Sequence, residues 1–379
     1  MTSKAPHSEP VSAGDRNTTL DAVRGVAVLG ILTMNAVSYG LDMASYFNLD
    51  AGGSRTWLDW AIGGMGEIFF DQKFMGLFSL LFGAGIVMFT DRTAAKQRRP
   101  VGLSLWRNTL LLGIGIAHMV LWQGDVLVLY AICSPLLIWA RRLRPATLMA
   151  IGATLVVSAA VVSVLVQTTI DNPDSELGGL WFEGDMSDEV GLWFLYDFGA
   201  RALGMMLIGV ALYRSGVITG ERPRRFYMRT AQWGLGVGLP LSVAGFAVVA
   251  ASGFSGDWAL AGAAPNTLAT IPLSLAYLSL IALWSLRAES RLQGRVRAAG
   301  RMALTNYLTQ TVMGIIVLRV VFDDIDFSRS QIAVFILAAW AVQLWWSQAW
   351  LYRFRFGPAE WLWRCATYRR WQPLRASTS

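Results

Sequence analysis

Apolar residues dominate stretches of roughly 18–22 positions, and polar residues collect in the gaps between them. A helix of that length crosses the roughly 30 Å of hydrocarbon in a bilayer. In lipid every backbone N–H and C=O must find a partner inside the protein, so such stretches are helices. A β-barrel would need alternating segments of about ten residues, and none occur. The fold class expected is all-α: a polytopic membrane helix bundle of about ten transmembrane helices.

The first predicted span runs from Thr18 to Tyr39 and the second from Trp57 to Thr90. The second is long and carries Glu67, Asp71 and Lys73. It predicts a short surface helix followed by a span beginning near Phe69. Further spans are expected near 103–120, 124–140, 146–168, 191–213, 231–252, 265–286, 302–321 and 331–352. Residues 1–17 are polar and lack the apolar centre of a signal peptide, which predicts a retained, disordered cytoplasmic tail.

Charge supplies the orientation. All but six of the 32 Lys and Arg fall in one alternating set of segments: 1–17, 91–107, 141–145, 214–229, 287–301 and 353–379. The opposite loops hold only Arg55 and Arg329, and one of them is crowded with Asp and Glu between Asp171 and Glu189. Basic loops stay inside, so both termini are expected in the cytoplasm. The net charge of +7 then reflects topology, and nucleic acid is not expected as a partner.

Composition narrows the chemistry further. With 54% hydrophobic and 15% charged residues the chain is far from the roughly 25% charged average of soluble domains. Two cysteines, Cys133 and Cys365, make no disulfide framework or thiol metal site. Two histidines, His7 and His118, exclude a three-histidine zinc site, and no metal is expected. Tryptophans such as Trp57, Trp60, Trp122, Trp345 and Trp346 stand near span ends, as an interfacial belt would have them. Small residues within spans, such as Gly76 and Gly83, fit close helix packing. The apolar and basic stretch 356–364 predicts an amphipathic helix on the inner membrane surface.

Ionisable groups at membrane depth are costly, so each marks a candidate site. Asp21 and Arg24 lie three apart at the mouth of span one and share a face. They make either a local ion pair or an anion site with Arg24 facing a phosphate. Asn35, eleven residues on, extends a polar stripe along the same face. Asp71 and Lys73 are two apart and cannot face each other, so each needs another partner. His118 closes span three and Asp125 opens span four across a tight Gln123-Gly124 turn. A carboxylate beside a histidine fixes its tautomer and stabilises its cation, which is a general-base arrangement. A helix–helix hydrogen bond is the alternative. Tyr130, Asp197 and Arg201 are candidates to join the same cluster. Thr305, Asn306, Thr309 and Gln310 begin span nine on more than one face, either packing or lining a cavity.

Several blocks together resemble the YeiB-like proteins. They are Leu20-Asp21-x-x-Arg24-Gly25 with Met34-Asn35, Phe74-x-x-Leu77-Phe78-Ser79-x-Leu81-Phe82-Gly83, and His118 followed by Gly124-Asp125-x-Leu127. Gly300-Arg301-Met302-x-Leu304-x-Asn306-Tyr307 and Gly357-Pro358-x-Glu360-Trp361-x-Trp363-Arg364 resemble the C-terminal DUF418 domain. The resemblance divides the chain into an acyltransferase-like half, 18–215, and a DUF418-like half, 216–379, and implies a multi-pass protein of the bacterial inner membrane.

The N-terminal half is also similar to the transmembrane acyltransferase superfamily that includes heparan-α-glucosaminide N-acetyltransferase. This similarity implies acyl-CoA, acetyl-CoA above all, bound from the cytoplasm as co-substrate. The acceptor, a small molecule or glycan, would be modified on the far side. Asp21, Arg24, Arg107 and Arg301 would hold the CoA, His118 held by Asp125 would deprotonate the acceptor, and Asn35 would hydrogen-bond the thioester carbonyl or its oxyanion. Residues 36–60 lack the histidine that the lysosomal enzyme carries after its asparagine, so His118 is the candidate for that role. The competing expectation is a small-molecule transporter using Asp71, Lys73, Asp125 and Arg201. Besides the lipid bilayer, a second copy of the chain is a candidate partner.

Overall fold

A computed structural model describes residues 17–95 and 99–375. The expected N-terminal tail, with His7, lies outside the described residues apart from Asn17. The helices are α1 (Thr18–Gly40), α2 (Met43–Phe47), α3 (Trp57–Met65), α4 (Lys73–Ala95), α5 (Pro100–Leu121), α6 (Leu127–Ala140), α7 (Pro145–Gln167) and α8 (Pro173–Glu176). They continue with α9 (Asp188–Arg214), α10 (Arg224–Ala251), α11 (Ala259–Ser285), α12 (Arg291–Arg301), α13 (Ala303–Gly314), α14 (Arg329–Arg353) and α15 (Pro358–Tyr368). A π-helical segment, Gly66–Phe70, joins α3 to the turn before α4, and another, Ile315–Val321, continues α13. Among the described residues there is no β-strand, only three isolated bridges.

The helix starts follow from local chemistry. The first turn of a helix leaves backbone N–H groups without partners, and a side-chain oxygen at the cap supplies one. Asn17 accepts from the Leu20 N–H at 2.8 Å, and Ser187 does the same for α9. Thr56 with Asp59, Ser290 with Gln293, and Ser328 with Gln331 form reciprocal capping boxes. Pro100, Pro145 and Pro358 occupy first-turn positions, where a missing N–H costs nothing.

Eight helices among the described residues are long and apolar enough to cross a membrane. The chain is an all-helical, multi-pass membrane protein. The long second stretch resolves into α3, the π-helical segment and α4, with Gln72 at a positive φ of 61° in the turn. Two more helices, α5 and α6, occupy the stretches expected as spans three and four. The second of these is only 14 residues long, or about 21 Å at 1.5 Å per residue. The turn between them is therefore sunk in the bundle, and Trp122 and Asp125 in it are buried.

The N-terminal helix α1 runs through the centre, packed against α4, α11, α12, α13 and α14. One core cluster joins Val28, Leu32 and Tyr39 to Trp122, Tyr130 and Tyr307. A second joins Val23 and Leu77 to Met205, Leu275 and Ile281. Both clusters draw on the two halves of the chain, so the halves share their core. Two crossings have no space for side chains. A Cβ on Gly83 would strike the Met206 carbonyl, and one on Gly209 the Leu80 carbonyl, so α4 and α9 touch backbone to backbone. Gly25 and Gly300 do the same for α1 and α12.

The amphipathic helix α15 packs against α5 and α13. Trp363 and Glu360 find specific partners there, described below, while Leu362 stays exposed.

Candidate functional site

Arg24 stands at the mouth of a cavity of about 400 Å³ among α1, α4, α5, α12, α13 and α15. Asp21, Arg24, Arg107 and Arg301, the four residues expected to bind CoA, all line it. Arg92, Arg355 and Arg364 line it too. The Arg24 side chain is about a third exposed (34%) and sits 3.8 Å from Asp21, so the ion pair and the open site coexist. Arginine outnumbers carboxylate here, since only Asp21 and Glu360 oppose it among the lining residues. A wall of planar guanidinium groups suits phosphate, which accepts their paired N–H donors.

The DUF418-like tail builds the floor. The Trp363 indole donates to the Arg107 carbonyl at 2.9 Å. The Arg107 guanidinium lies 3.6 Å above the Trp363 ring, so stacking fixes its plane. Glu360 accepts from the Leu304 N–H at 2.7 Å and the Thr305 N–H at 3.1 Å, and from the Thr305 hydroxyl. It thus caps α13 from another helix. Burial pushes the Glu360 carboxyl above its ordinary value, and the Thr305 and Leu304 donors pull it partway back. Arg301 donates to the Arg355 carbonyl at 3.3 Å.

The deep end of the cavity is apolar, with Phe78, Phe82, Leu111 and Leu127, and reaches Tyr307. The Tyr307 hydroxyl accepts from the Val126 N–H at 3.4 Å and donates to Asp125 Oδ1 at 3.3 Å. The same oxygen lies 2.7 Å from His118 Nδ1. His118 Nε2 is 2.9 Å from the Thr311 hydroxyl, which is 2.9 Å from the Tyr39 hydroxyl. Asp125 Oδ2 also accepts from the Val128 N–H at 2.9 Å. A carboxylate only accepts, so His118 Nδ1 carries a proton, and in the neutral ring Nε2 is then the bare nitrogen; this tautomer is assigned from the network. The rings of His118 and Tyr307 are 5.2 Å apart. One aromatic side chain therefore separates the cavity from the histidine.

His118 itself is buried, at 4% exposure, and both ring nitrogens have partners. The general-base geometry and the helix–helix hydrogen bond thus exist in one arrangement. Asn35 is buried beside Tyr39. At the end of α1, Arg319 donates to the Ser38 and Tyr39 carbonyls, and the Trp122 indole donates to the Ser38 hydroxyl.

Tyr130, Asp197 and Arg201 do not join the histidine. The Tyr130 hydroxyl bonds Ser79 at 2.7 Å, and Arg201 pairs with Asp197 one turn earlier on α9. Asp71 and Lys73 find their separate partners in one residue. The Lys73 ammonium donates to the Asn266 side-chain oxygen and to the Glu67 carbonyl, and Asn266 Nδ2 donates to Asp71 at 3.1 Å. The polar block at α13 packs more than it lines. Asn306 bonds Ser347 and Trp346, and Gln310 bonds Gln343 and the Val28 carbonyl.

Sequence reasoning missed Arg92, Arg355, Arg364 and Tyr307 as cavity residues and Thr311 as the histidine's second partner. Tyr307 and Arg364 stood within recognised blocks.

The C-terminal region, residues 212–370, matches the family described as "Protein of unknown function (DUF418)". The chain is 33% identical to the uncharacterized protein YeiB of Escherichia coli, over 96% of this chain and all of that one. It is 27% identical to the uncharacterized protein YxaH of Bacillus subtilis, over 98% of each. No solved structure matches it. With a basic cavity built jointly by its first helices and its DUF418 region, and with similarity along its whole length, this chain belongs to the YeiB family of DUF418 membrane proteins.

Proposed function

We propose that this protein is an acyltransferase of the bacterial inner membrane. Acyl-CoA, in the simplest case acetyl-CoA, enters the basic cavity from the cytoplasm, and the acyl group passes to an acceptor near His118. The observation that carries this is the continuity of the site. The arginine-lined cavity ends at Tyr307, and Tyr307 bonds the carboxylate that holds His118. The basic loops support a cytoplasmic mouth.

The residues present fit the co-substrate. Arg24, Arg107 and Arg301 offer charge to its phosphates, and the apolar throat between Phe78 and Leu127 suits an extended thioester arm. At the deep end an acceptor hydroxyl or amine displaces Thr311 from His118 Nε2 and gives its proton to that nitrogen. The acceptor atom bonds to the acyl carbon, the C–S bond breaks, and the imidazolium returns the proton to the leaving sulfur. Asp125 holds the ring and offsets its transient charge. Asn35 Nδ2, buried beside Tyr39, is a donor for the carbonyl oxygen as it gains charge.

The test is transfer of label from [14C]acetyl-CoA to membrane or soluble acceptors by vesicles enriched in the protein. His118→Ala should lower transfer by on the order of 10²–10⁴-fold. Wild-type transfer in that variant contradicts the assignment. The competing activity is transport, favoured by the charged cavity around Asp71 and Arg201 at the other end of the bundle. Solute uptake by proteoliposomes without acyl-CoA would establish it instead.

A further inference from the structure

We propose that the cavity at the acidic end of the bundle is a second ligand site, which binds a small primary ammonium ion. This cavity, of about 90 Å³, lies among the π-helical segment, α9, α10 and α11. It is lined by neither His118 nor Asp125, so it stands independently of acyl transfer.

The argument begins with Asp197. Its side chain is 5% exposed and lines the cavity. Arg201 occupies Oδ2 through Nε at 2.7 Å and through Nη2. Oδ1 is buried with no hydrogen-bond partner. A carboxylate oxygen can only accept, and a buried one without a donor is costly, so the site calls for a donor from outside the chain. The sign of that donor follows from the other walls. Glu67 and Asp71 also line the cavity, and Arg201 is the cation among its lining residues. Lys73 does not line it and spends its donors on Asn266 and the Glu67 carbonyl, but its charge acts on Asp71 and Glu67 from behind the wall. Against the three carboxylates Glu67, Asp71 and Asp197, Arg201 and Lys73 leave one negative charge over.

The remaining walls are aromatic, with Trp181, Trp193 and Phe246 among them. Such faces attract a cation and cover a short alkyl chain. A quaternary ammonium has the charge but no N–H for Asp197, and an alcohol has a donor but no charge. A primary ammonium has both. The volume admits only a few heavy atoms.

The test is thermal unfolding of the purified full chain in detergent with ethylammonium chloride, against sodium chloride at equal ionic strength. The expected result is a Tm that rises with ethylammonium concentration and does not rise with ethanol or tetramethylammonium. Asp197→Asn should abolish the rise. Ala263→Leu fills the cavity without touching a charge and should abolish it too. If Asp197→Asn does not fold, Ala263→Leu decides. No rise in the wild type, an equal rise with ethanol or tetramethylammonium, or a rise that survives in Ala263→Leu overturns the proposal.

Discussion

Gly25 and Gly300 meet backbone to backbone where α1 crosses α12. A Cβ on Gly300 would run into the Asp21 carbonyl and stand 2.6 Å from the Gly25 nitrogen. Their chain neighbours Arg24 and Arg301 consequently reach the wall of one cavity. Two motifs far apart in the chain thus build one basic cavity. Gly300→Ala must spread this crossing, at about 1–3 kcal/mol. A lowered Tm together with lost acetyl-CoA binding is the expected outcome. Gly102→Ala is the control, because its Cβ meets nothing within 4 Å. An unchanged Tm in Gly300→Ala would show that the crossing is loose.

Glu360 carries a pH dependence. Its folded carboxyl titrates above the ordinary 4.5, with burial as the main cause. A raised folded value means that the folded chain holds the proton more tightly than the unfolded chain. The resulting stability is complete below the ordinary value and is lost as pH rises through the folded one. The wild-type Tm should therefore fall across that window more steeply than the Tm of Glu360→Gln. Parallel curves for the two proteins would contradict the burial of this carboxyl.

Tyr307→Phe removes the hydroxyl that links cavity to carboxylate while keeping the ring. Acetyl-CoA binding should change little, because the arginines are untouched. Transfer should fall by roughly tenfold or more, since Asp125 then holds His118 with one donor fewer. A binding loss equal to the rate loss would make Tyr307 a wall residue alone.

Much of the fold was legible because lipid imposes long apolar helices and interfacial charge. The hidden parts come from contacts across helices. Nothing local marks Asn266 as the bridge between Lys73 and Asp71, because the partners lie almost 200 positions apart. The amphipathy of α15 does not reveal that Glu360 meets Thr305 on α13. The grouping of Tyr130 and Arg201 with His118 failed for a similar reason. All were predicted within the membrane, but periodicity fixes the face of each helix and not the neighbour that face meets. Asp125 with His118 was legible, because a two-residue turn brings adjacent helix ends together.

The central claim is that the basic cavity takes acyl-CoA, and thermal unfolding of the purified protein with acetyl-CoA tests it most directly. At 100-fold excess over Kd, one site should add about 2.7 kcal/mol of stability. The account predicts a rise in Tm with acetyl-CoA that Arg24→Ala abolishes. In folded protein, the absence of any rise, or one that Arg24→Ala leaves intact, would contradict it.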